Sequence, residues 1–343
     1  MELDRTQFAV DQEGFLEAIQ EKSKLIQNGY EAGSRSGRHI EAKGLLFAGM
    51  GFSGVVSALV KDACTRAIDT PFSIVKHYQI PHHVTQHWHC LAISYSGETE
   101  ETLSVTKAAF DRNVPITTFA TGGSITEYGE NVPQPKGYQP RAAFGYTWFS
   151  VLGFLESSKI LNARIPINRS IEAVEAVDRA CGPDVPEAEN EAKQLARQLF
   201  EKIPQIYATP AFYGVGLHFR GMLNENAKKI ADVDLVPECN HNDLTGWGDD
   251  PNRRFFTALA LSHANQNPQI AKRLEHMESR YTEWGVPWYH KQFGHIQTFE
   301  EHVVEQARAI QFLDYVSFYT AILRNVDPSE IREIKGLKEK LQH

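Results

Sequence analysis

Two short turns rich in glycine and serine constrain this chain more than any other feature. Each sits between an apolar run and a helix-like run. The first is Gly49-Met50-Gly51-Phe52-Ser53-Gly54, behind Leu45-Leu46-Phe47-Ala48. The second is Ser94-Tyr95-Ser96-Gly97-Glu98-Thr99, behind Leu91-Ala92-Ile93. Strand, tight turn and helix in that order form the unit of a doubly wound α/β domain, whose ligands sit beyond the carboxyl ends of the strands. Small residues at a helix start leave backbone N–H groups free to meet an anion, and the helix dipole favours the same charge. Two such turns in one domain point to a phosphorylated small molecule held between neighbouring strand ends.

The rhythm runs along the whole chain. Residues 9–32 read as one helix, followed by a turn at Gly33-Ser34-Arg35-Ser36-Gly37. Strands are expected at 44–48, 72–76, 91–94 and 115–120, with helices at 55–65 and 100–112. Residues 133–140 read as irregular, and a helix is expected from about 142 to 155. Residues 164–195, with Pro166, Gly182, Pro183 and Pro186, read as a connection. A second unit then repeats the pattern, with a strand at 205–208, a glycine turn at Tyr213-Gly214-Val215-Gly216 and a helix at 217–229. A strand at 255–261 and a helix opened by Asn267-Pro268 come next. Residues 303–323 read as a long helix with an apolar, buried C-terminal half. The expected fold class is α/β, with two mainly parallel sheets, each flanked by helices. An N-terminal helical segment (1–35) precedes a first domain (36–163), a helical connection (164–195) and a second domain with C-terminal helices (196–343).

Composition narrows the partners. The 343 residues allow two domains, and 42% hydrophobic against 23% charged residues suits globular cores. A net charge of −8 counts against nucleic acid as a partner, because a phosphate backbone demands a basic surface. Cys64, Cys90, Cys181 and Cys239 stand singly, as expected in the reducing cytoplasm. Met1-Glu2-Leu3-Asp4-Arg5 lacks the basic-then-apolar order of a signal peptide. No apolar run is long enough to predict a membrane span.

Five constellations carry the chemistry. Glycines alone are common at strand–helix turns, but the hydroxyls of Ser94, Ser96 and Thr99 turn the reading towards phosphate. Glu98, Glu100 and Glu101 read as dipole partners on the solvent side of their helix. Glu225, in Asn224-Glu225-Asn226-Ala227-Lys228, reads by position as an ordinary helix carboxylate, two turns into its helix; a general base must also be tuned by its surroundings. Pro237-Glu238-Cys239-Asn240-His241-Asn242-Asp243 is a polar loop that invites a catalytic reading for His241. His82, His83, His87 and His89 read as an exposed linker, not a metal site, for want of accompanying ligands. Arg141, behind Gln139-Pro140 at a helix start, opposes the helix dipole unless it faces an anion in a cleft.

These pieces occur in the order found in the bifunctional phosphoglucose/phosphomannose isomerases of the sugar-isomerase (SIS) superfamily, which the chain resembles from about residue 40 onward. The match rests on both turns, Thr121-Gly122-Gly123, Gln139–Ala143, Asn224–Lys228, Pro237–Asn242 with Gly246-Trp247, and Asp314–Tyr319 with Val326-Asp327-Pro328. The resemblance implies interconversion of glucose 6-phosphate, and of mannose 6-phosphate, with fructose 6-phosphate through a cis-enediol, without a metal or other cofactor. It implies phosphate binding by Gly51, Phe52, Ser53, Ser94, Ser96 and Thr99. Glu225 resembles the base and Arg141 the group that stabilises the enediolate. His241 resembles the ring-opening residue, delivered from the partner subunit of a homodimer. Of the C-terminal lysines, Lys338 matches best, ahead of Lys335 and Lys340. The chain departs from the family at Phe52, where a small residue is usual, at Glu98, where Asn is usual, and at Ser124, where Lys is usual. A non-catalytic phosphosugar sensor is the rival reading, and an isomerase of another phosphorylated sugar a third.

Overall fold

The computed structural model describes residue 3, residues 5–65 and residues 67–341. The N-terminal region is three pieces instead of one helix: a 3₁₀ turn Arg5–Val10, α1 (Phe15–Gln20) and α2 (Lys22–Ser36). The break has a local cause. Gly14 takes a left-handed φ of 69°, and the Asp11 carboxylate accepts the N–H groups of Phe15 and Leu16, starting a new helix there. At its other end α2 runs through the predicted turn. A Cβ on Gly33 would lie 1.9 Å from the carbonyl oxygen of Ser150, so this glycine serves a close helix contact instead of a bend.

The first sheet contains β1 (Gly44–Ala48), β2 (Phe72–Val75), β3 (Trp88–Ile93), β4 (Ile116–Ala120) and β5 (Glu130–Pro133). Its order is β2-β1-β3-β4-β5, all parallel. β1 and β4 are buried along their whole length, as strands covered on both faces must be. The covering helices are α3 (Gly51–Cys64), α4 (Glu100–Asp111) and α5 (Phe144–Ser157). From β1 the chain moves to one side of the sheet, and from β3 to the other. The direction therefore reverses between β1 and β3, where an open α/β sheet leaves its ligand crevice. Those two strands carry the two Gly/Ser turns. The histidine-rich stretch is only in part an exposed linker. His82, His83 and His87 are exposed, whereas His89 is a buried residue of β3 bonded to Thr117 Oγ1 at 2.9 Å.

The second half begins with α6 (Ile167–Cys181) and α7 (Glu191–Phe200). Its sheet has the order β7-β6-β8-β9, again parallel, from β6 (Ile203–Ala208), β7 (Asp232–Leu235), β8 (Phe256–His263) and β9 (Trp288–Phe293). Around it lie α8 (Tyr213–Glu225), α9 (Asp243–Asp249), α10 (Pro268–Glu283), α11 (Phe299–Leu323) and α12 (Arg332–Leu341). The glycines at 214 and 216 do not form a turn. They lie in the first turn of α8, where a Cβ on Gly214 would sit 2.8 Å from the Leu59 backbone nitrogen of α3. At the other end of the same contact, a Cβ on Gly221 would sit 2.9 Å from the Phe52 ring. α3 and α8 are thus packed antiparallel, with the start of α3 beside the end of α8.

α11 is buried almost throughout and opens with a capping box of Thr298 and Glu301. Its Asp314 is fully buried and joins three elements. One oxygen accepts from Lys22 of α2 and the other pairs with His218 Nε2 of α8 at 2.6 Å. The two partners hold this carboxyl below its usual range against the cost of burial. Asp314→Asn leaves Lys22 buried without its counter-ion, and a loss of about 3–5 kcal/mol is expected in urea unfolding.

Candidate active site

The first turn offers backbone to the crevice. Gly51 opens α3 with a φ of 51°, a conformation that favours glycine, and no side chain caps this helix. The first helical hydrogen bond at this end runs from Gly54 N–H to Met50, so the N–H groups of residues 51–53 find no helix carbonyl. The Phe52 ring does not enter the turn. It is buried and lies 6.1 Å from the Phe144 ring and 5.4 Å from that of His218. Its bulk fills the space between α3, α5 and α8, leaving only its main chain to the crevice.

The second turn offers hydroxyls. Ser94 is buried and donates to Thr99 Oγ1 at 3.1 Å. Thr99 is the N-cap residue of α4, yet its side chain caps nothing, so the N-terminus of α4 is open as well. Ser96 is exposed and accepts from Glu98 N–H at 3.2 Å. Glu98 does more than face solvent. Its carboxylate accepts from the Ser124 backbone at 2.7 Å and from the Ser124 hydroxyl, tying this turn to the glycine turn after β4. The charge gained at Glu98 is thereby matched by donors from the position at which the family pattern changes from Lys to Ser.

Arg141 and Glu225 meet at the end of α8. Glu225 is the last residue of that helix, not a residue two turns inside it. α8 begins and ends earlier than the sequence suggests, because Gly214 and Gly216 belong to its first turn. Arg141 Nη1 donates to Glu225 Oε2 at 2.9 Å. The other two nitrogens of this buried guanidinium are also engaged. Nε donates to Asn226 Oδ1 at 2.7 Å, and Nη2 to the carbonyls of Pro328 at 2.7 Å and Ser329 at 3.1 Å. Its face lies over the Phe15 ring, 5.1 Å from the centroid. The arginine is fixed, so its charge needs no reorganisation when an oxyanion forms beside it.

Glu225 is tuned by opposing effects. Burial pushes its carboxyl above the ordinary carboxylate range, and the charges of Arg141, Lys338 and Lys228 hold the rise in check. Lys338, an exposed residue of α12, is the C-terminal lysine whose charge reaches Glu225. The adjacency of Phe52 and Gly221 brings this cluster beside the first turn, since Gly221 lies one helical turn before Glu225. Lys76 adds a further cation there, its Cε lying 3.2 Å from where a Cβ on Gly54 would stand.

His241 is not part of this cluster. It is exposed and ends a 3₁₀ turn, Glu238–His241, beyond the carboxyl end of β7. Glu225 precedes the amino end of the same strand. The two residues therefore lie at opposite ends of α8, whose 13 residues span about 20 Å. Phe15, Asn226, Lys228 and the 328–329 carbonyls escape the sequence reading as partners of the site. Phe15 lies in the N-terminal helices, far from any motif, and the carbonyls carry no side-chain signal.

Comparison with known proteins fits this geometry. A model of the bacterial phospho-glucose isomerase C-terminal SIS domain matches residues 188–341. A bifunctional phosphoglucose/phosphomannose isomerase of Aquifex aeolicus is 26% identical over 309 residues, covering 88% of this chain and 91% of its own. Another, from Caldicellulosiruptor bescii, is 27% identical and covers 95% of this chain and 98% of its own. The chain is similar along most of its length to bifunctional phosphoglucose/phosphomannose isomerases. Likeness of fold extends further. The C-terminal domain of glucosamine-fructose-6-phosphate aminotransferase from Francisella tularensis superposes with a TM-score of 0.73 over 92% of this chain and 98% of that domain, at 14% identity. The fold is thus shared with a protein named for other chemistry, so activity must be argued from the site.

Proposed function

We propose that this isomerase interconverts glucose 6-phosphate and mannose 6-phosphate with fructose 6-phosphate through a cis-enediolate, without a metal. One observation carries the reading. A half-buried carboxylate with a raised pKa is held against a buried guanidinium bonded through all three of its nitrogens, beside an uncapped helix N-terminus. The phosphate binds at the open ends of α3 and α4, to the N–H groups of Gly51, Phe52 and Ser53 and the hydroxyls of Ser94, Ser96 and Thr99. Glu225 takes the proton from C2 of the aldose, and the electron pair moves to the carbonyl oxygen at C1. Arg141 stabilises the resulting enediolate. Glu225 then returns the proton to C1, and the carbonyl forms at C2 as the oxygens exchange a proton. Lys338 adds positive charge beside the same carboxylate. His241, out of reach in its own chain, opens the sugar ring in the site of a second subunit.

The test is a coupled assay of the protein with glucose 6-phosphate and with mannose 6-phosphate, each in the presence of a chelator. Turnover of both is expected. Absence of turnover on either sugar contradicts the reading, and loss of turnover on adding chelator contradicts its metal independence.

A further inference from the structure

Lys228 lies three residues beyond Glu225 and has no role in the chemistry above. Its backbone takes a left-handed φ of 49°, where glycine or asparagine is ordinarily preferred. A lysine at such a position costs backbone strain of about 1 kcal/mol or more relative to glycine. The fold retains the strain because of what the side chain does. The ammonium curls back over the end of α8 and donates to the carbonyls of Glu225 at 2.9 Å and Asn226 at 3.3 Å, and also to the carbonyl of Asp327. The next two residues, Pro328 and Ser329, supply the carbonyls that hold Arg141 Nη2. One ammonium therefore joins the segment carrying the carboxylate to the segment gripping the guanidinium.

We propose that Lys228 is a positioning residue for the reaction: it fixes the Glu225–Arg141 pair by clamping the carboxyl end of α8 to the 327–329 segment. The inference rests on Glu225 acting as the base. Arg324, which donates to the carbonyls of Ala227 and Lys228, secures the same turn from α11 but does not reach residues 327–329. The charges around Lys228 are those of Arg141, Glu225, Asp327 and Glu330. Lys228 in turn contributes to holding the Glu225 carboxyl down, with Arg141 and Lys338 the larger contributors.

The decisive variant is Lys228→Gly, which relieves the left-handed strain while removing the clamp. If the clamp positions the pair, melting temperature holds or rises while kcat falls by about 100-fold, the cost of a misplacement of about 1 Å. KM changes little, because the phosphate turns lie on the first sheet. Lys228→Arg, which keeps the charge and a donor, recovers part of the loss. A ¹³C-carboxyl titration of Glu225, assigned with Glu225→Gln, is expected to move to higher pH in Lys228→Gly. Unchanged kcat and an unchanged titration overturn the proposal, as does a loss of kcat that only follows a fall in melting temperature and is not rescued by arginine. The titration needs no turnover, so it tests Lys228 even if the wild-type protein fails to isomerise either sugar. That second failure counts against Glu225 as the base and leaves the placement of its carboxyl to the titration.

Discussion

Glu225→Gln is expected to abolish isomerisation while leaving sugar-phosphate binding within a few-fold of wild type. The amide keeps the shape of the carboxyl, and its oxygen still accepts from Arg141 Nη1, which now stands at 2.9 Å from Oε2. What the substitution removes is the proton acceptor. General-base catalysis is typically worth 10²–10⁴-fold, and with no other carboxylate bonded to Arg141 among the described residues a loss of at least about 10³-fold is expected. Calorimetric binding of fructose 6-phosphate, beside single-substrate kinetics, separates the two effects. The same carboxyl sets the acid limb of the wild-type profile. Burial raises its pKa, so the active ionised form is lost as pH falls through a midpoint above the ordinary carboxylate range. Lys228→Gly moves that midpoint upward again.

The second large effect comes from mixing two inactive proteins. His241 and Glu225 are separated by the length of α8, so one chain cannot bring both to one substrate. In a homodimer that exchanges His241 across its axis, each site takes Glu225 from one subunit and His241 from the other. Glu225→Gln and His241→Ala are then each inactive alone. After joint refolding, half of the dimers are mixed, and each mixed dimer carries one intact site and one doubly altered site. Recovery of about a quarter of the wild-type activity is expected. Recovery of none contradicts the sharing of His241, as does full activity of His241→Ala by itself.

The legible parts of the structure were those dictated by local patterning. The buried runs before each Gly/Ser turn are β1 and β3, and both turns open helices without a side-chain cap. β5, β7 and β9 were not assigned, and the reason is physical. They are edge strands, paired on one side only, and their residues are largely half-buried or exposed, so no continuous apolar run marks them. Glycine misled in two places. Gly33 and Gly214 read as breakers, but each permits a close helix contact that only the tertiary fold reveals. At the site, Arg141 and Glu225 were recognisable by their motifs, whereas their meeting was not. It depends on the antiparallel packing of α3 against α8 and on carbonyls at 328 and 329 far along the chain. Phe52 was unexpected in the first turn, and the fold explains it: the ring leaves the turn for the space beside Phe144 and His218. Lys228 closes the Asn224–Lys228 motif, but its clamping role carried no sequence signal, because neither a left-handed φ nor a set of carbonyl partners is written in residue type.

The account turns on one proton moving between C1 and C2 by way of Glu225. Proton NMR of fructose 6-phosphate incubated in D₂O with the wild-type protein and with Glu225→Gln follows that transfer. The predicted result is solvent deuterium entering at C1 of fructose 6-phosphate and at C2 of the aldose phosphates, alongside their interconversion, with both processes lost in Glu225→Gln. Exchange and interconversion at wild-type rates in Glu225→Gln would contradict it.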